Sequence, residues 1–316
     1  MLSLQKRFLI INLIIFFLAP LTYSATVHTP KARIQIEKFG NNYSEKNIGF
    51  LREIYKGHLK EADFKVTQID RDISYGPHPL QNLNIHYTNK ANQDKSPIVI
   101  FFHGGAFIRG DKSDGVIFDN VLNYFSRNGI VGINANYRLA PQYKWPSGAE
   151  DIASIIRWIK TNAHKYNLNP NKIFLMGHSA GAAHIATYSF SEELQIDKED
   201  GVKGAILLSG IYSNSNANSR NVYYGKDLDL AQKRMPINAI DGRNIPLFVI
   251  TAEFDRLGTQ KESLTLIRRI CDRDKKCPRH KQIPGHNHYS MMYHFNTLDD
   301  SIAYDILDFV LQKNLE

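Results

Sequence analysis

From residue 71 onward, short apolar runs alternate with amphipathic stretches of helical period. The runs Ile98–Phe102, Ile130–Ala135, Lys172–Met176, Gly204–Ser209 and Leu247–Thr251 have the length of strands. Between them, residues 149–163 carry Ile152, Ile155, Ile156 and Ile159 at i, i+3, i+4 and i+7, one face of a helix. Residues 259–273 do the same with Leu264, Ile267 and Cys271, and residues 299–312 with Ile302, Ile306, Phe309 and Val310. Continuous apolar runs are buried on both faces, so this alternation predicts a parallel sheet covered by helices. Residues 26–70 are polar and mixed, with one helical pattern at Ile48, Leu51, Tyr55 and Leu59. Residues 212–244, rich in Asn and Ser, follow no period and read as an excursion from the sheet. The expected organisation is one α/β domain over 71–316, an appendage over 26–70, and a separate leader over 1–25.

The leader has its own logic. Lys6 and Arg7 precede an uncharged apolar stretch from Phe8 to Ala19, broken only by Asn12. Pro20 and the small-residue region Thr22-Tyr23-Ser24-Ala25 follow. A basic end, a short apolar run and small residues form a secretory signal, too short for a membrane span. Cleavage after Ser24 or Ala25 leaves an exported protein, periplasmic or secreted, with no spanning segment; an uncleaved anchor is the alternative.

Composition narrows the class. Hydrophobic residues make up 43% of the 316 and charged residues 22%, values of a folded globular chain. The 39 basic and 31 acidic residues leave a net charge of +8, but without a long basic run, so no nucleic-acid partner is expected. The two cysteines cannot supply a four-cysteine zinc site, and no metal or organic cofactor is implied. Cys271 and Cys277 either bridge in an oxidising compartment or stay as one buried and one exposed thiol.

Chemistry enters at the strand ends. The run Lys172–Met176 leads into Gly177-His178-Ser179-Ala180-Gly181, a G-x-S-x-G turn with a helix expected from Ala182. Such a turn lifts the Ser179 hydroxyl above the sheet edge and needs glycines where side chains would collide. An inert serine between glycines is the plainer alternative. Ile98–Phe102 empties into His103-Gly104-Gly105-Ala106. There the N–H groups of Gly104 and Gly105 can converge with that of Ala180 to form an oxyanion hole. His103 reads as a structural residue that orients this loop.

The acid and base follow downstream. Leu247–Thr251 ends in Ala252-Glu253-Phe254-Asp255, at the edge where open parallel sheets build their sites. Asp255 is the candidate acid, with Glu253 in reserve. Pro284-Gly285-His286-Asn287-His288-Tyr289-Ser290 offers two candidate bases on a loop. Side-chain parity cannot separate His286 from His288, but His288 precedes a helix expected over Tyr289–Asn296, whose N-terminus disfavours the cationic ring. His184 and His294 fall in helical patterns and read as core or surface residues.

These residues resemble the α/β-hydrolase fold, in particular the hormone-sensitive-lipase-like carboxylesterases, over about residues 95–315. The resemblance rests on His103-Gly104-Gly105-Ala106-Phe107, on Asn136-Tyr137-Arg138-Leu139-Ala140-Pro141 followed by Trp145-Pro146 and Asp151, and on Gly177–Gly181. Ser209-Gly210-Ile211-Tyr212 and Asp255-Arg256-Leu257 also look like the family's later signatures. It implies that Ser179 is the nucleophile, Asp255 the acid and His288 the base, with Gly104, Gly105 and Ala180 forming the hole. It also implies that residues 26–70 help to cap an acyl pocket. The lipase-like branch usually has Asp at His178 and Gly at Ala182. The Gly-His-Ser-Ala-Gly turn, with His-x-His-aromatic-Ser, is similar instead to bacterial esterases related to feruloyl and acetylxylan esterases, and to kynurenine formamidases. The expected function is a serine hydrolase acting on small acyl esters. The alternatives are an arylformamidase and, in another class, a non-catalytic binding module on the same fold.

Overall fold

The computed structural model describes residues 30–59, 67–89, 95–213 and 218–311; the leader expected over 1–25 lies outside them. The described strands are β1 Gln68–Ser74, β2 Asn82–Tyr87, β3 Ile98–Phe102, β4 Val131–Ala135, β5 Ile173–His178, β6 Val202–Leu208, β7 Leu247–Phe254 and β8 Arg279–Asn287. They form one eight-stranded sheet in the order β1-β2-β4-β3-β5-β6-β7-β8. From β4 to β8 every pairing is parallel, whereas β1 and β2 join antiparallel at one edge.

The helices are α1 Pro30–Phe39, α2 Glu45–Lys56, α3 Ile117–Arg127, α4 Ser147–Tyr166, α5 Ala180–Phe190, α6 Asn218–Tyr224, α7 Leu228–Lys233, α8 Leu257–Asp274, α9 Ser290–Tyr293 and α10 Ala303–Leu311. The two-residue period of β3 divides the core. Ile98, Ile100 and Phe102 join Ile152, Ile156 and Ile159 of α4 and Ile185 of α5 on one face. Val99 and Phe101 join Val121 and Phe125 of α3 and Ile306 and Phe309 of α10 on the other.

The α1–α2 segment belongs to that second layer. Ala32, Ile36, Leu51 and Tyr55 are buried in it, and the Tyr55 hydroxyl donates to Asp299 Oδ2 at 2.7 Å. β1 begins at Gln68, so the boundary expected at residues 70/71 falls within a strand. The excursion over 212–244 holds α6 and α7, whose Tyr223, Tyr224 and Ala231 cover Phe107 in a third apolar cluster. The loop expected around Pro284 is instead the end of β8, an edge strand, where a proline costs no ladder bond. The helix expected over Tyr289–Asn296 is the single turn α9. No helix among the described residues is long and apolar enough to cross a membrane.

Candidate active site

Ser179 joins β5 to α5 with φ 55° and ψ −116°, a left-handed conformation that costs a non-glycine residue about 1–3 kcal/mol. Its N–H still donates to Leu208 O at 2.8 Å, so the turn stays stitched to β6. The glycine two positions on is required by close approach: a Cβ at Gly181 would lie 2.2 Å from Phe102 O. The turn thus seats the nucleophile candidate against the end of β3.

That end carries the oxyanion loop. Gly105 takes φ 140°, and a Cβ there would stand 1.7 Å from Arg109 O. The Gly104 backbone abuts the serine, since a Cβ on it would be 3.1 Å from Ser179 Cβ. His103 is buried beneath the loop; its Nδ1 donates to Gly104 O at 2.6 Å and its ring stacks on Tyr137 at 4.4 Å. Tyr137 in turn donates its hydroxyl to His103 O at 2.8 Å. Burial lowers the pKa of His103, keeping it a neutral support. Among the described residues, the N–H groups of Gly104, Gly105 and Ala180 donate to no protein acceptor.

Asp255 follows β7 directly and is buried. Its Oδ1 accepts from His288 Nδ1 at 2.9 Å. Its Oδ2 accepts from the N–H of Ala252 at 2.9 Å and from the hydroxyl of Ser209. The reserve acid is elsewhere: Glu253 Oε2 accepts from the N–H of Gly285 at 2.6 Å. Because His288 Nδ1 carries the proton it gives to Asp255, a neutral ring keeps its lone pair on Nε2. Both His288 and Ser179 line one cavity of about 610 Å³. His286 does not line it. That ring is buried, 3.9 Å from the ring of His294, with Nδ1 3.1 Å from Ser290 Oγ. α9 is too short to orient His288 through a helix dipole; Asp255 does so instead.

The cavity wall comes partly from the N-terminal segment. Ile48, Gly49 and Arg52 of α2 line it together with Tyr289 and Met292. Arg52 is held by both carboxylate oxygens of Asp114, at 2.7 and 2.9 Å. Tyr43 donates to Phe254 O at 2.7 Å and lies 5.7 Å from the His288 ring, with Arg256 at 4.9 Å over its own ring. Burial, then the charge of Asp255, raises the Tyr43 pKa, so it remains a neutral phenol. Among the described residues no group of three or more His, Cys, Asp or Glu side chains is arranged to hold a metal ion.

The structure thus brings together Ser179, Asp255, His288, Gly104, Gly105 and Ala180, and leaves Glu253 and His286 apart. The contacts of Ser209, Tyr43 and His178 carried no sequence signal for a role. Ser209 and His178 stood only as a family signature and a departure from one, and Tyr43 had no pattern at all.

Known proteins are similar in the same region. The BD-FAE family model matches residues 83–206. Versiconal hemiacetal acetate esterase of Dothistroma septosporum is 25% identical over 54% of this chain and 51% of its own length. Esterase LipC of Mycobacterium tuberculosis is 31% identical over 35% of this chain and 27% of its own length. The chain thus spans about half, or less, of these curated relatives. Among solved structures, esterase B from Lactobacillus rhamnosis superposes with a TM-score of 0.71 at 18% identity, covering 88% of this chain and 96% of that one. An esterase from Pyrobaculum calidifontis superposes with a TM-score of 0.66 at 17% identity, covering 91% and 99%.

Proposed function

We propose that this chain, an α/β-hydrolase by fold, is a serine esterase that cleaves carboxylic esters through an acyl-enzyme. The observation that carries the reading is His288, held by the buried Asp255 at 2.9 Å, lining one cavity with a serine on a strained strand-to-helix turn. The esterases among its relatives and structural neighbours support it.

In this mechanism the Ser179 hydroxyl attacks the acyl carbon while His288 Nε2 takes its proton. Asp255 holds the ring tautomer and stabilises the imidazolium that forms. The carbonyl oxygen becomes an oxyanion bound by the N–H groups of Gly104, Gly105 and Ala180, each donor worth about 3–4 kcal/mol. His288 then returns the proton to the departing alcohol, and water repeats the sequence on the acyl-enzyme. We place the enzyme outside the cytoplasm after removal of residues 1–25, a reading that the Cys271–Cys277 bond supports.

Hydrolysis of a p-nitrophenyl ester series by the purified protein tests the proposal. Turnover is expected in the wild type and a loss of about 10⁴-fold or more in kcat for Ser179→Ala. A folded Ser179→Ala that keeps wild-type turnover would contradict it.

A further inference from the structure

The mechanism above gives no part to His178, the variable residue of the nucleophile turn. It ends β5, is buried beside Ser179 at the wall of the same cavity, and its ring centre lies 4.6 Å from that of His288. His178 Nε2 is 2.9 Å from the backbone carbonyl oxygen of His288. A carbonyl only accepts, so Nε2 carries the proton and donates it. The opposite edge of the ring meets the oxyanion loop, where a Cβ on Gly104 would lie 2.9 Å from His178 Nδ1. Burial and the neighbouring His288 both hold His178 well below its ordinary pKa, so it adds no second positive charge beside the base.

Other bonds around His288 do different work. Asn287 Oδ1 accepts from the N–H groups of Tyr289 and Ser290 at 3.1 and 3.0 Å, which shapes the turn locally. Asp255 sets the rotation of the ring. The bond from His178 runs between the residue before Ser179 and the main chain of His288 itself. It therefore fixes the two in one frame.

We propose that His178 is a positioning residue that ties the main chain of His288 to the nucleophile turn and so sets the reach from the base to the serine hydroxyl. This rests on reading Ser179 and His288 as nucleophile and base. A misplacement of about 1 Å in such a pair costs on the order of 10²-fold in rate. One neutral hydrogen bond is worth about tenfold or less.

His178→Phe keeps a buried ring and loses the donor, whereas His178→Gln keeps an amide N–H. With p-nitrophenyl acetate, His178→Phe is expected to lose about 10²-fold in kcat with KM changed by less than about threefold. His178→Gln is expected to recover at least about tenfold of that loss. A second readout needs no turnover: the downfield Nδ1–H proton resonance of His288, assigned by its absence in His288→Gln. It should persist in the wild type and in His178→Gln and broaden away in His178→Phe. A folded His178→Phe with kcat within about threefold of wild type and an intact resonance would overturn the proposal. If that variant does not fold, His178→Gln carries the test, and a loss of about 10³-fold there would overturn it. A wild-type protein that hydrolyses no ester defeats the esterase reading, and the resonance then decides the role of His178 separately.

Discussion

Asp255 shows how a single carboxylate is singled out from its neighbours. Three groups converge on it: His288 Nδ1, the Ala252 N–H and the Ser209 hydroxyl. Glu253, two residues earlier, instead accepts from the Gly285 N–H. Asp255→Asn is therefore expected to lower kcat by about 10⁴-fold by favouring the wrong His288 tautomer, and Glu253→Gln by less than tenfold. By the same geometry, His288→Ala should cost about 10³-fold or more and His286→Ala about tenfold or less. Steady-state kinetics on the four variants check this ranking; Glu253 or His286 ranking above its partner would reassign the acid or base. The positions of the candidate serine and acid were legible because each follows an apolar run. The candidate base was only half legible, since residues two apart share parity in an extended chain. What separates them is a contact across 33 positions, His288 to Asp255.

At the scale of elements, the strands that could be read were those buried on both faces, such as β3 with its run of five buried residues. β1 and β8 lie at the sheet edges and β2 beside β1, and polar residues interrupt all three, with His in β2 and both Pro and His in β8. Edge strands need only one apolar face, so their pattern weakens. The resemblance implied a cap from residues 26–70, but which of its residues form the cavity wall was not legible, because the placement of α2 depends on Leu51 and Tyr55 packing against distant helices. One element carries a covalent fastening: Cys271, in the last turns of α8, is bonded to Cys277 ahead of β8. A loop this short contributes about 2 kcal/mol in the chain-entropy account. Intact mass should rise by about two daltons on reduction, and the urea midpoint should fall accordingly. No mass change on reduction would mean that the two thiols are free.

For the whole molecule, three buried histidines link stability to pH. Burial lowers the pKa of His103, His178 and His184, the last to about 3. Each ring stays neutral in the fold but takes up a proton near pH 6.5 once unfolded. Unfolding therefore binds protons below that value, so their contribution is complete above pH 6.5 and is lost as the pH falls. For His184 the loss is about 2 kcal/mol between pH 6.5 and 5. Urea unfolding at pH 7.5, 6 and 5 should show stability falling with pH, and His184→Leu should flatten that fall; parallel curves would contradict the assignment. The fold as a whole was legible because its central strands and turns agree with one another. The contacts that anchor the N-terminal segment were not, since they join residues as far apart as Tyr43 and Phe254, 211 positions along the chain.

The central claim is that Ser179 is an activated nucleophile in a preformed site. Treatment of the native protein with a fluorophosphonate, followed by peptide mass spectrometry, tests it most directly. One adduct per chain on the peptide bearing Ser179 is expected, formed in step with loss of ester turnover and absent from Ser179→Ala. A folded, unlabelled protein, or full labelling of another residue with Ser179 unmodified, would contradict it.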